Sequence, residues 1–592
     1  MKAYFNLDKK LKKIFNYFSI FTIVLGTTFG SLNSAFANAV TQNATVKTAY
    51  TDADTVTLSA ATATTTLADD DEATSFITTS GVDTAWGITA GTLTVDGAID
   101  ATAGDTLAIT LSGTGNLTMT GETDENTTGV ITLALGGNTF TTSGAVTHDL
   151  SISGAGAIVI SGNTTFADTI GTGTAVTSIT TATTKDVAFA SAVTATGAIT
   201  GTLTADMAFS ASATAGSFSI GTGGSMSVLS TTANTITGTI DGDATGKGTL
   251  IVNNTNATEP IFASDIGETN SLLLITGTTG ATFNGNVSAT SLTLANGKVM
   301  DFAKDLTLTT ATLTGTTSKV IIDGAIDQTI SGNVVGASAG NGLLEVTNTT
   351  GKTATFSGNV GSSTKPLLLA TVSAAKSATF NGTINSVGLT TEAAANVFIE
   401  NNENLIGTPS GTTGVLTLGA NTILTVGKGV VDGETVFDVL TATAGDSGVV
   451  ISGDVTVNLP SSFNSGTITL IEGTTDNVGA ADELLDILPN DTALTNYTAA
   501  HANTRTDVVI TATAESTSTV ATNLGTTNNI ALGIISANNA AGRSTDTAAI
   551  DALTTALNAS TNTSISDVSK QVAPQDDMIS GSTFATKAMT GS

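Results

Sequence analysis

Short runs in which apolar and polar residues alternate fill most of the chain. "SLTLANG" places Leu292 and Leu294 on one face, "DLTLTTATLTG" does the same with Leu306 and Leu308, and "KVIIDG" follows Lys319. Strict alternation over four to eight residues, bounded by Gly, Asn or Asp, is the mark of half-buried β-strands joined by tight corners. One heptapeptide recurs: "ATFNGNV" at 281–287, "ATFSGNV" at 354–360 and "ATFNGTI" at 378–384.

Looser relatives of that unit put Phe140, Phe166, Phe189, Phe209, Ile236, Phe262, Phe283, Phe302, Ile330, Phe356, Phe380 and Phe398 in one recurring slot. Their intervals run from 18 to 28 residues with a mean near 23.5. A period of this size signals a solenoid. It leaves room for three short strands per turn, and insertions are absorbed at the corners. The expected fold is therefore all-β, a right-handed parallel β-helix with the recurring Phe or Ile as an interior stack. The competing architecture, an array of antiparallel sandwiches, would show hairpin pairs of unequal spacing instead.

The texture changes along the chain. Residues 40–130 read as an N-terminal β-rich segment or cap, and 131–414 as the β-helix repeats. From 415 to 515 alternation is cleaner, Pro409, Pro460 and Pro489 lie nearby, and "ADELLDIL" reads as a short helix; an open solenoid needs such a terminal cap. Residues 516–592 read as a helical linker. In "TDTAAIDALTTALNAS", Ile550, Leu553 and Leu557 share a face, and Thr545 or Asp546 is the N-cap.

Composition narrows the class. Only 11% of residues are charged and 4% aromatic, yet 40% are hydrophobic and no Pro precedes Pro260, which sets the chain apart from disordered low-complexity sequence. Outward Thr suits strand faces, and Asn at corners tolerates left-handed backbone. The formal net charge of −30 repels phosphate backbones, so nucleic acid is excluded as a partner and solubility of an extended surface is favoured. At the N-terminus a basic stretch ending at Lys13 leads into the apolar "IFNYFSIFTIVLG" and then "SAFANAV". This order is that of a secretory signal peptide over 1–39, with small-x-small cleavage sites ending at Ala37 and Ala39. The chain has no Cys, which is compatible with export across a second membrane unfolded.

The order of signal peptide, Thr/Gly/Asn-rich coils, strand-rich segment and helical lead resembles a bacterial autotransporter passenger, in style the large rickettsial surface antigens. In that family, segments like "VTVNLPSSFNSGTITLIEG…VVITAT" form the C-terminal folding cap. The stretch "IDALTTALNAS…ISDVSKQVAPQDDMISGSTFATKA" is similar to the lead into the translocator barrel, with Val572-Ala573-Pro574-Gln575 where the family has Leu-Ser-Pro-Glu. The resemblance implies an exported, non-enzymatic adhesin or surface-layer component at the outer membrane or outside the cell. Its implied partners are a translocator barrel, encoded separately or lost, a host-cell or neighbouring-cell ligand, and further copies of itself. No barrel follows within the sequence, so a barrel-less remnant of a split gene is an alternative.

Motifs for chemistry are sparse. "GDSG" at 445–448 matches the nucleophile turn of chymotrypsin-like proteases, but a triad needs a His base, and His148 and His501, the two histidines present, stand in no protease-like context. "IDGDATGKGT" breaks the phosphate-loop spacing: Asp241 stands where a Gly is required, and Gly248 follows Lys247 where Ser or Thr is required. "ADDDEA" offers Asp69, Asp70, Asp71 and Glu72 to Ca²⁺, although four adjacent acids read more simply as a solvated loop. Trp86 reads as an N-terminal core or cap residue. No catalytic, cofactor or metal site is expected. The alternative enzyme class, a β-helical protease or polysaccharide hydrolase, would need clustered acids in one groove.

Overall fold

The computed structural model describes residues 38–535 apart from short internal stretches, of which 474–486 is the longest. The signal-peptide reading, except for Ala39 in the strand Asn38–Gln42, lies outside the described residues. So do the helical readings beyond residue 535 and most of "ADELLDIL", whose final residues join the strand Ile487–Pro489. The chain is nearly all β, with parallel coils stacked into a β-solenoid. It divides into two compact units, Met1–Ser291 and Leu292–Ser592.

Strands form where the alternation predicts them. In Val299–Phe302, Thr353–Phe356 and Ser377–Phe380 every second side chain is buried and its neighbours face out. Each coil pairs in register with the next, so inward residues meet their counterparts one coil on.

In the N-terminal unit three of the resulting interior columns carry the recurring Phe and Ile positions. One runs Ile99, Thr123, His148, Phe166, Phe189, Phe209, Val228. A second runs Leu117, Phe140, Ile158, Ile179, Ile199, Phe218, Ile240. The third passes Val193, Ala213, Ile236, Phe262 and Phe283. In the C-terminal unit Phe302 heads a column through Ile322, Val346 and Val372, whereas Leu306, Ile330, Phe356, Phe380 and Ile399 form another.

The expectation of one recurring slot is therefore corrected. Phe140, the trio Phe166–Phe209, and the set Ile236, Phe262 and Phe283 occupy different columns. An interval near 23 is one coil whichever column is followed, so the series could cross between columns without losing its period. Phe398 is corrected outright: Val397 and Ile399 are buried, and Phe398 is turned outward between Thr379 and Thr425. Ile399, not Phe398, stands in register with Phe380. The other eleven positions are all buried, none more than 1% exposed. The rings stack where they adjoin: Phe262 on Phe283 and Phe356 on Phe380 both have centroids 5.0 Å apart and planes within 9°. Trp86 is also interior, 4.3 Å from Phe76 and donating from Nε1 to Thr65 Oγ1.

Corners are pinned by side chains. Asp83, Asn116, Asn163, Asp206 and Asp265 each accept, at 2.6–3.1 Å, from a backbone N–H one coil later, at Thr106, Thr139, Asp186, Ser225 and Asn286. In the C-terminal unit Asp305, Asp327, Asn333, Asn359 and Asp432 do the same for Thr329, Thr353, Asn359, Thr383 and Thr467. These staples give the Asn/Asp-rich corners their chemistry, because a corner N–H outside the ladder needs another acceptor. Asn359→Ala removes one acceptor and is expected to cost about 0.5–1.5 kcal/mol, read as a lower urea midpoint, while Asn359→Asp keeps an acceptor and most of the stability.

The parallel ladder extends on both sides of the 131–414 repeat region. It includes Asp54–Leu58 and Ser75–Thr78 before it, and Val415–Leu418 with Val449–Ile451 after it. It gives way to antiparallel pairing at Gly466–Gly473, which pairs with Asp507–Ala514, itself paired with Thr495–Ala502. Under this hairpin Tyr497 donates its hydroxyl to the Phe463 carbonyl at 2.7 Å, and burial pushes that phenol up to about 12. The helix Thr517–Asn523 follows, burying Val520 and Ala521 with Leu494 and Ala531.

Candidate functional site

Coil lengths become uneven in the C-terminal unit. Thr435 lies in register with Thr469, and Asp438 with Glu472, a step of 34 residues. The larger corners leave an open cleft of about 480 Å³ lined by Asn385, Asn402, Glu403, Glu434, Asp438 and Glu472, among others. Asp438 and Glu472 stand side by side on adjacent strands because both are outward residues of alternating segments, "TVFDV" and "GTITLIEG". Thr435 donates its hydroxyl to Glu472 Oε2 at 2.8 Å. Glu403 enters the cleft from a left-handed backbone position, φ 58°, with its N–H held by the Thr435 carbonyl at 2.8 Å. Asn385 is 7% exposed and donates to Thr383 Oγ1.

Burial first, and the neighbouring Glu472 second, raise the Asp438 carboxyl above the usual carboxylate range. Two neighbouring carboxylates in one cleft, Asp438 with a raised proton affinity, are the raw material of general acid–base chemistry, and equally of cation binding. Among the described residues no three His, Cys, Asp or Glu side chains converge closely enough to hold a metal ion.

A second acidic group lies in the same unit. Lys319 Nζ and Glu345 Oε2 are 2.9 Å apart, and Asp301 and Asp323 lie beside them. Burial raises Asp301, helped by Asp323, and burial likewise raises Asp323. Here a cation is already present and the pair is half-exposed, which is the ordinary condition of a strand-face ion pair.

The motifs singled out in the sequence form no catalytic constellation. Of "GDSG", only Gly448 lies among the described residues, where its carbonyl accepts from Leu416 N. Asp241 and Asp243 are corner acceptors, Asp241 for the Thr269 and Asn270 N–H groups and Asp243 for Thr222. Asp69 and Asp70 lie outside the described residues; Asp71 and Glu72 are consecutive in the strand Asp71–Ala73 and so point to opposite sides of it. His148 is wholly buried and His501 is half-buried in Thr495–Ala502.

The cleft itself was invisible to a reading based on a 23-residue period. Asp438 and Glu472 are 34 apart, so only the register of the uneven coils brings them together. The chain matches no protein-family model, no curated protein and no solved structure.

Proposed function

We propose that the chain is the passenger part of an exported surface protein, a non-enzymatic adhesin or surface-layer component displayed through a translocator barrel. The observation that carries this reading is the outward face of the coils. In the N-terminal unit Thr94, Thr118, Thr141, Val159, Thr180, Thr200 and Ser219 follow one another in register along a single sheet. A wall of small, mostly hydroxylated side chains (Val159 is the exception in this row) repeated at the strand spacing offers many similar weak contacts, which sum by multivalency. The net charge of −30 favours solubility of such a surface and selects against polyanionic partners. Protease shaving of intact producing cells tests the proposal: release of fragments from this chain, with loss of cell–cell or cell–host adhesion, is the expected result. Complete protection on intact cells, with cleavage only after lysis, overturns it.

The acidic cleft favours a second reading, a β-helical hydrolase working at Asp438 and Glu472. The two readings separate on one variant. An ionised Asp438 beside Glu472 costs stability at neutral pH, because its raised proton affinity means that the folded state prefers the protonated form. If the cleft has no catalytic role, Asp438→Asn simply relieves the burial of that charge and, second, its repulsion by Glu472. Screening at this half-exposed site limits the gain to about 0.5 kcal/mol, seen as a slightly higher melting temperature at pH 7 and no difference at pH 3. Turnover of a polysaccharide or peptide by the native chain, abolished in Asp438→Asn, would establish the hydrolase instead.

A further inference from the structure

His148 is the one imidazole built into the interior of the solenoid, and nothing in the proposed function uses it. It is 0% exposed and takes the position in its column that Phe166 and Phe189 take in the next two coils. Its ring sits between aromatic neighbours, with centroids 5.5 Å from Phe140 and 5.6 Å from Phe166. Nε2 is 2.9 Å from Thr142 Oγ1, whereas Nδ1 is buried without a hydrogen-bond partner among the described residues. Thr123, the preceding residue of the column, likewise has a buried, unpartnered hydroxyl. A neutral imidazole is tolerated there as a flat, mostly apolar plate. An imidazolium would be a second N–H donor with no acceptor and a charge with no counterion.

The strands packed around the ring are Thr123–Asp124, Thr139–Thr142 and Thr164–Phe166. The titratable groups on or beside them are Glu122, Asp124, Asp149 and Asp168. Glu122 is exposed, and Asp168 accepts from the Ser151 hydroxyl. Burial of the ring lowers its proton affinity to about 4.

We propose that His148 makes the N-terminal unit acid-responsive: on mild acidification its coils around Thr123–Phe166 loosen and open the aromatic column. The sign follows from linkage. The unfolded chain binds the proton near the ordinary histidine value and the folded chain only near pH 4, so stability is full above that ordinary value and falls as pH drops between the two. In the C-terminal unit burial raises Asp301, Asp323 and Asp438, so protonating these three removes a cost and gives no acid-driven loss of the kind expected at His148.

Hydrogen exchange on the full chain at pH 7.5 and pH 5, with rates corrected for intrinsic chemistry, reads the effect. Amides of the three strands around the ring are expected to lose protection by about 30-fold at pH 5, while those of Thr353–Phe356 and Ser377–Phe380 hold theirs. His148→Phe continues the Phe column and is expected to abolish the difference between the two pH values. His148→Gln, which keeps a polar partner for Thr142 but cannot titrate, serves the same purpose if the Phe variant does not fold. Equal protection at both pH values in the native chain overturns the proposal, as does an undiminished loss in either folded variant. With two histidines in the sequence, an imidazole titration by NMR gives an independent reading, and a folded-state His148 that protonates near pH 6.5 also overturns it.

Discussion

Phe283→Asp is expected to abolish cooperative folding of the coils at the end of the N-terminal unit. Phe283 is 0% exposed and stacked face to face on Phe262. Removing a buried phenyl group costs about 3–5 kcal/mol through lost transfer energy and the cavity left behind. Placing a carboxylate against the Phe262 ring in that buried column adds several more. The sum is comparable with the whole stability of an ordinary domain, about 5–15 kcal/mol. Circular dichroism should show a reduced β signal, and limited proteolysis should cut within the affected coils. A variant that melts within a degree or two of the native chain would refute the interior-column assignment. The adjoining Asn284 makes the contrast: it is exposed and its backbone N–H, bonded to the Phe262 carbonyl, survives any replacement except proline. Asn284→Ala should stay within about 0.5 kcal/mol of the native chain.

The second large effect is expected from a residue with no side chain. Gly332, Gly358 and Gly382 are the corner glycines of three consecutive coils, in "SGNVV", "SGNVG" and "NGTIN". A Cβ on Gly358 would stand 2.2 Å from the Gly332 carbonyl oxygen and 2.4 Å from its carbon, and one on Gly382 would meet Gly358 at 2.3 and 2.5 Å. These are backbone atoms that the ladder holds on both sides, so they cannot yield as a flexible side chain would. Gly358→Ala is therefore expected to cost about 3 kcal/mol or more, a single methyl group forcing two coils apart. Gly351→Ala is the control. Its φ of +82° makes alanine unfavourable, but nothing lies within 4 Å of the added methyl, so the cost is the backbone term alone, about 1–2 kcal/mol. Urea midpoints of the two variants separate the crowding from the conformational preference, and equal midpoints would show that the coils do not meet so closely at this corner.

These contrasts show what could be read from the letters. The heptapeptide "ATFNGNV" carried its own structural logic: Ala281, Phe283 and Val287 are buried, Asn284 is exposed and Gly285 stands at the corner. Alternation and corner residues are local properties, so strand identity and the solenoid were legible from them. Column membership was not, because it depends on the number of residues spent at each corner, and a Phe moves from one column to another without disturbing the period. Phe398 illustrates the failure most plainly, since one residue of register reverses its side. The acidic cleft is non-local in the same sense: Asp438 and Glu472 meet through a 34-residue step. His148 could have been suspected from "AVTHDL", where it takes an inward position of the alternation, but a lone His carries no sign of its neighbours until the coils are stacked.

Ten of the corner staples share a direction, whereas those of Gly81 to Asp105, Thr222 to Asp243 and Ile384 to Asn404 run the opposite way. In each pair from Asp83–Thr106 to Asp432–Thr467 described above, the earlier coil supplies the carboxylate or amide oxygen and the later coil supplies the N–H. The two kinds of cut through such a stack are not equivalent. A fragment ending at a cut keeps a spare oxygen at its last corner, which water satisfies readily. A fragment beginning at a cut carries a corner N–H whose acceptor has gone with the other piece. At these ten corners each coil presents the acceptor that the next coil's N–H uses.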